Sequence, residues 1–149
     1  MTRGARAVAT AARRFAADER GAALVEFAIV VPVLLMLILG IIDFGRLNAV
    51  AASLTTAVRE GARQAATTAD LSDVAQVGAI KSRVVNTFMP FGGTPLTAAN
   101  VTVTLDASQN VVVSVTGYTY RPLTPLAGIV GMANVPLPRS ATFRWERAL

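Results

Sequence analysis

The hydrophobic and polar positions divide the chain into one long apolar segment, a region with the period of a helix and a last region with the period of a strand. Residues 24–42 are apolar except for Glu26, and Asp43 marks the far end of this segment. About twenty helical residues cross the roughly 30 Å hydrocarbon layer of a bilayer. The pattern therefore predicts a transmembrane helix over residues 22–43, preceded by a basic segment, residues 1–21.

Glu26 is the ionisable residue inside the apolar segment. Fourteen Leu, Ile, Val and Phe residues surround it, and each favours the membrane by about 0.3 to 0.6 kcal/mol, against roughly 3 kcal/mol for one central charge. We therefore expect the helix to insert with Glu26 close to one interface. An intramembrane carboxylate is by default functional, with a partner that compensates its charge.

A helical period continues beyond Asp43 and predicts that the same helix extends through residues 44–69. Its apolar stripe consists of Leu47, Val50, Leu54, Val58, Ala62 and Ala65. A second helix should follow, with Asp70 or Ser72 as its N-cap. Its buried face is predicted to contain Val74, Val77, Ile80, Val84 and Phe88.

The last third of the chain changes to a period of two. Residues 101–105 alternate Val and Leu with Thr, residues 106–110 supply a turn, and β-rich sequence resumes to Arg121. Residues 140–147 alternate again and predict a third strand. Helices followed by such strands indicate an α+β fold with a three-stranded antiparallel sheet, in which the first helix covers one sheet face. Residues 70–149 would form this small domain.

The net charge of +5 belongs mostly to the first 21 residues, which hold five Arg against two acidic residues. Only +2 remains for the rest of the chain, whose nine basic residues are scattered among seven acids, so a nucleic-acid surface is not expected. By the positive-inside rule, the amino terminus should be cytoplasmic and the domain after Asp43 should lie across the membrane.

The composition also argues against an enzyme. The chain contains no Cys and no His, which excludes thiol and imidazole chemistry and leaves no structural zinc site. Lys81 could pair with Ser82 or Ser72, but neighbours in sequence do not face one another on a helix. No phosphate-binding glycine loop is present. We therefore expect no catalytic residues, no metal, no cofactor and no small-molecule substrate.

The residues around the start of the apolar segment resemble the processing site of a type IV pilin-like precursor. Gly21 is followed by four residues and then by Glu26 and Phe27. More narrowly, VEFAIVVPVLLMLILGIIDFGR followed by AVREGARQAAT resembles the TadE-like family, minor pseudopilins of the Tad (Flp) pilus machinery. The resemblance is strongest over residues 21–66.

This resemblance implies a pilin-like fold and a processing event. A prepilin peptidase would remove the leader after Gly21 and leave Ala22 as an N-methylated amino terminus, with Glu26 and Phe27 completing the recognition sequence. The implied partners are the membrane, the peptidase, and other pilins and pseudopilins. The implied location is the cytoplasmic membrane, with a single span, or a pilus.

Three residues are candidates for assembly: Glu26, Pro32 and Asp43. Pro32 lacks an N–H group, so it should weaken or slightly kink the helix about one turn upstream. It is either an ordinary transmembrane proline or a locally weakened part of the helix that helps the subunit leave the bilayer and pack in a filament. Glu26 needs a donor or a cation once subunits pack together.

Two alternatives remain open at this stage. Ala49-Val50-Ala51 is a sequence that signal peptidase can use, which would give a secreted protein cleaved after Ala51. A permanently anchored extracytoplasmic protein would need no processing at all. The residue at the mature amino terminus distinguishes these possibilities: Ala22, Ala52 or the initiator region.

Overall fold

The computed structural model describes residues 19–124, 126–129 and 131–146. The chain divides into two compact units, with the boundary between Leu39 and Gly40. The predicted leader, apart from its last residues, lies outside the described residues. The fold is α+β, as the change of period along the sequence predicts.

Helix α1 spans Glu19–Ala66 without interruption, with Pro32 inside it. Its composition favours this, because Ala and Leu are strong helix formers. The buried stripe after Asp43 confirms the predicted spacing, with Leu47 only partly buried. The fully buried residues of this stripe are Val50, Leu54, Ala57, Val58, Ala62 and Ala65.

Helix α2 spans Val74–Thr87. Its N-cap is Asp73, whose carboxylate accepts a hydrogen bond from the Ala75 N–H at 2.8 Å, so the predicted caps Asp70 and Ser72 were wrong. Asp70 instead accepts hydrogen bonds from the backbone and hydroxyl of Ser72. Val74, predicted to be buried, is 85% exposed, because the helix starts there and its buried face begins further along, at Ile80.

Two long-range contacts show that α2 runs antiparallel to α1. The Met89 N–H donates to Ser53 Oγ at 2.7 Å, and Arg83 Nη2 donates to Glu60 Oε1 at 2.7 Å. Glu60 also accepts from Arg63 in its own helix. The hydrogen bond from Arg63, joined by the one from Arg83, lowers the pKa of Glu60 to about 2.

The sheet consists of β1 (Val101–Leu105), β2 (Asn110–Val115) and β5 (Arg139–Arg144), antiparallel in the order β1-β2-β5. The turn between β1 and β2 forms as predicted: the Asp106 carboxylate accepts from the N–H groups of Ser108 and Asn110. Three alternate side chains of β2 are fully buried: Val111, Val113 and Val115.

A second, two-stranded pair joins β3 (Thr119–Tyr120) and β4 (Val135–Pro136), with the short helix α3 (Leu126–Ile129) between them. The predicted β-rich sequence to Arg121 thus forms two strands, β2 and β3, which belong to different sheets. The backbone changes direction at Gly117, whose φ is 72°. After this turn, β3 pairs with β4 and not with the three-stranded sheet.

Gly61 lies where α1 meets both α2 and the sheet. A Cβ atom built there would overlap Val84 Cγ2 of α2 and lie 3.6 Å from Val113 Cγ1 of β2. The first helix therefore covers one sheet face, as predicted. The missing side chain of Gly61 makes room for Val84 and Val113 of the same chain.

Gly61→Val should lower the free energy of unfolding by about 3 kcal/mol, because overpacking a tight contact displaces its neighbours. Urea denaturation of the detergent-solubilised protein, followed by the emission of Trp145, the sole tryptophan, measures this change. Gly78→Val is the matched control, since no atom lies within 4 Å of a Cβ at that helical glycine. Equal urea midpoints for the two variants would contradict the close contact of α1 with α2 and β2 at Gly61.

Candidate processing and assembly site

The predicted processing residues lie on successive turns of α1, within the first compact unit. Gly21 is half-buried, whereas Ala22, Glu26 and Phe27 are exposed. Ala22 and Glu26 are four residues apart on one helix, so they occupy one face. A positive group at Ala22 could therefore pair with the Glu26 carboxylate, or either could face a neighbouring molecule.

The apolar part of α1 presents its side chains outward, from Leu24 to Ile42. Soluble proteins rarely expose a contiguous apolar surface of this extent. The helix is long and apolar enough to cross a membrane, and its burial in a bilayer would remove this surface from water. The segment is a candidate membrane anchor.

Pro32 lies inside this exposed segment, and α1 continues on both sides of it. Because proline has no N–H group, it donates no hydrogen bond to the carbonyl one turn earlier, at Ala28. In a membrane, a neighbouring helix can supply the missing donor. Its role in assembly stays a prediction.

Asp43 is the first charged residue after the apolar segment and is 9% exposed. Its Oδ1 accepts a hydrogen bond from the Leu123 N–H at 2.9 Å, and its Oδ2 accepts from the Thr124 N–H at 3.2 Å and from the Thr124 hydroxyl. The hydroxyl of Tyr120 donates to the Asp43 carbonyl at 3.4 Å. The carboxylate thus fastens the segment after β3 to α1.

Arg46, one turn further along α1, fastens a second loop. Its Nε and Nη2 donate to the Phe91 carbonyl at 3.2 and 2.9 Å, and its buried Nη1 lies 3.8 Å from Asp43 Oδ1. A Cβ at Gly92 would lie 3.1 Å from Nη2. We call Asp43, Arg46, Phe91, Leu123 and Thr124 the basal clasp.

The sequence indicates only half of this clasp. Asp43 and Arg46 stand three apart at the end of the apolar segment and so share a helix face, but their partners lie 45 to 81 residues away. No local pattern marks Leu123 or Thr124 as donors to a carboxylate. Asp43 therefore has a structural role inside the second compact unit, which sequence reasoning missed; its predicted role in assembly stays a prediction.

Within the described residues, these features define a protein with one candidate membrane-spanning helix, α1, whose later part also belongs to a small α+β domain. Residues 21–63 match the family model described as TadE-like protein, which confirms the resemblance inferred from the sequence. The match begins at Gly21 and includes Glu26, Pro32, Asp43 and Arg46. A search of curated proteins and a search of solved structures each gave no match.

Proposed function

We propose that this protein is a TadE-like pseudopilin, a non-enzymatic structural or assembly component of a Tad-type pilus, matured by a prepilin peptidase. The observation that carries the proposal is the family match, which starts at the glycine where the peptidase would cut. The exposed apolar helix that follows supports it, because pilin-like subunits need such a helix both as a membrane anchor and as a packing surface.

The proposed orientation places the arginine-rich leader in the cytoplasm and the α+β domain outside it. The cut after Gly21 would then occur at the cytoplasmic edge of the membrane. The mature chain would remain in the cytoplasmic membrane or enter a pilus together with other pilins and pseudopilins. Adhesion of the cell would be the purpose of the assembled fibre.

The fold argues against the secreted alternative. Cleavage after Ala51 would separate Asp43, Arg46 and Val50 from the domain that they hold. Val50 is fully buried in the core, and burying such a side chain stabilises a fold by about 1.5 to 3 kcal/mol. A protein cut there would lose the basal clasp and part of its core.

Gly21→Leu should abolish processing, because a branched side chain at this position would not fit a peptidase site that accepts glycine. We expect the variant to persist as the larger precursor in membranes that also contain the cognate peptidase, whereas wild type matures to a chain starting at Ala22. Gel mobility and amino-terminal sequencing measure the two products.

Gly40→Leu is the matched control for this experiment. It makes the same change in the same helix, at a glycine with no atom within 4 Å of a built Cβ, so it should mature normally. Equal cleavage of Gly21→Leu and wild type would refute processing at Gly21. If neither is cleaved, the permanently anchored alternative is favoured.

A further inference from the structure

Two loops of the domain carry exposed apolar side chains beside the point where α1 leaves its apolar segment. Phe91 is 48% exposed and Leu123 is 70% exposed. Single exposed apolar residues are common on protein surfaces and need no explanation. What distinguishes these two is that the basal clasp fixes the backbone of both.

The clasp sets the level of the two loops along α1. Leu123 is bound by Asp43, and the Phe91 carbonyl is bound by Arg46. Asp43 and Arg46 follow Ile42, the last residue of the apolar segment, by one and four residues. With a rise of 1.5 Å per helical residue, their Cα atoms lie within about 6 Å of Ile42 along the helix axis. The headgroup region on each side of a bilayer is roughly 5 to 8 Å deep. In a bilayer whose hydrocarbon layer ends at Ile42, the loops would therefore lie at the depth of the headgroups.

The backbone of Phe91 adds an independent observation. Its φ is 46°, in the left-handed region that bulky residues seldom adopt. Such a conformation costs about 1 to 3 kcal/mol and persists only where the surroundings impose it. Here the two hydrogen bonds from Arg46 hold the carbonyl, while the aromatic ring stays half-exposed and gains no full burial within the chain.

We propose that Phe91 and Leu123 contact the lipid surface itself, as a second attachment of the domain to the bilayer that α1 spans. Phe44, which is 66% exposed, lies on α1 between Asp43 and Arg46 and so at the same level along the helix axis. Phe and Leu are among the side chains that interfacial segments bury at the boundary between headgroups and acyl chains. Three contacts at one level would fix the tilt of the domain over the membrane before assembly. This inference rests on the membrane anchoring in the proposed function.

The lipid is favoured over a protein partner because the basal clasp fixes both loops next to Ile42, where the predicted transmembrane segment ends. A bilayer that covers α1 up to Ile42 reaches Phe44, Phe91 and Leu123 without any further component.

Tryptophan scanning tests the proposal with the full-length protein in vesicles of phosphatidylcholine and phosphatidylglycerol. Phe91→Trp and Leu123→Trp should each add emission that is blue-shifted and quenched by lipids brominated near the headgroup end of the acyl chain. Both substitutions change exposed side chains, so the domain should still fold. The urea midpoint of each variant checks this.

Val74→Trp provides the matched control. Val74 is at the start of α2, which runs antiparallel to α1, so it lies at the end of the domain opposite to the clasp. The native Trp145, whose indole donates to the Thr68 carbonyl, also lies at that far end. Neither should be quenched.

Flotation of the vesicles separates the two hypotheses. If the protein does not float with the lipid, the membrane anchor, and with it the proposed function, is wrong. If the protein floats but brominated lipid quenches Phe91→Trp and Leu123→Trp no more than Val74→Trp, the lipid contact is refuted while the anchor stands. Quenching at both loop positions but not at Val74→Trp supports the contact.

Discussion

Asp43→Ala should lower the free energy of unfolding of the α+β domain by about 3 kcal/mol. The carboxylate accepts hydrogen bonds from two backbone N–H groups and one hydroxyl. Hydrogen bonds to a charged group contribute about 1.5 to 3 kcal/mol each, and a donor left without a partner in a buried place costs about 1 to 3 kcal/mol. The total stays near 3 kcal/mol because the freed loop can partly turn toward water.

The loss of stability should first appear as local opening of the segment after β3, before the whole domain unfolds. In Asp43→Ala, the amide hydrogens of Leu123 and Thr124 should exchange with solvent much faster, whereas those of β2 should keep the protection that the sheet gives. Hydrogen exchange of the detergent-solubilised protein measures the first effect. Urea denaturation followed by Trp145 measures the second.

Asp73→Ala is the matched control, because it removes the same carboxylate from a helix cap. It should cost about 1 kcal/mol and leave exchange at Leu123 unchanged. Asp43→Asn should fall between wild type and Asp43→Ala, since it keeps one oxygen acceptor but points an amide group at the remaining donors. If Asp43→Ala has the wild-type urea midpoint and wild-type exchange, the clasp does not stabilise the domain.

The parts of the fold that the sequence predicts are those governed by local periods. The stripe from Val50 to Ala65 indicates which helix face is buried, and the alternation of Val and Thr in β1 indicates a strand, because each pattern can be read from a single segment. The processing residues were also predicted from a local spacing, and the structure places Gly21 and Glu26 on one helix; their role stays a prediction.

The parts that were missed depend on pairings between distant segments. Asp70, Ser72 and Asp73 are all competent N-caps, and only the position at which α2 begins to pack selects Asp73. The short pair β3–β4 has too few residues for a recognisable alternation. The clasp partners of Asp43 and Arg46 are chosen by the way the loops close over α1, and no local pattern encodes that choice.

Glu26→Ala should abolish incorporation into pilus assemblies while leaving membrane insertion intact. Insertion should become easier, because a charge costs about 3 kcal/mol at the membrane centre and part of that cost at the interface, and the substitution removes it. Assembly should suffer because side-by-side packing of subunits buries the carboxylate, and a buried charge needs a compensating partner.

Processing would create a partner for the Glu26 carboxylate. Cleavage after Gly21 frees the α-amino group of Ala22, which is positively charged at neutral pH, and methylation keeps that charge. Within one subunit, Ala22 and Glu26 are at i and i+4 and can pair. Between subunits, Glu26 could instead meet the amino group of its neighbour, which would couple maturation to assembly and set the axial register.

The test combines three measurements on Glu26→Ala: amino-terminal sequencing for maturation, extraction for membrane insertion, and co-purification with other pilins for assembly. Glu60→Ala is the matched control, because Glu60 pairs with Arg63 and Arg83 of its own chain and should assemble normally. Glu26→Gln keeps the hydrogen-bonding oxygen but not the charge. If it assembles as poorly as Glu26→Ala, the charge itself is required. If Glu26→Ala co-purifies with pilins as wild type does, the charge pair is refuted and Glu26 serves at most as a recognition residue for the peptidase.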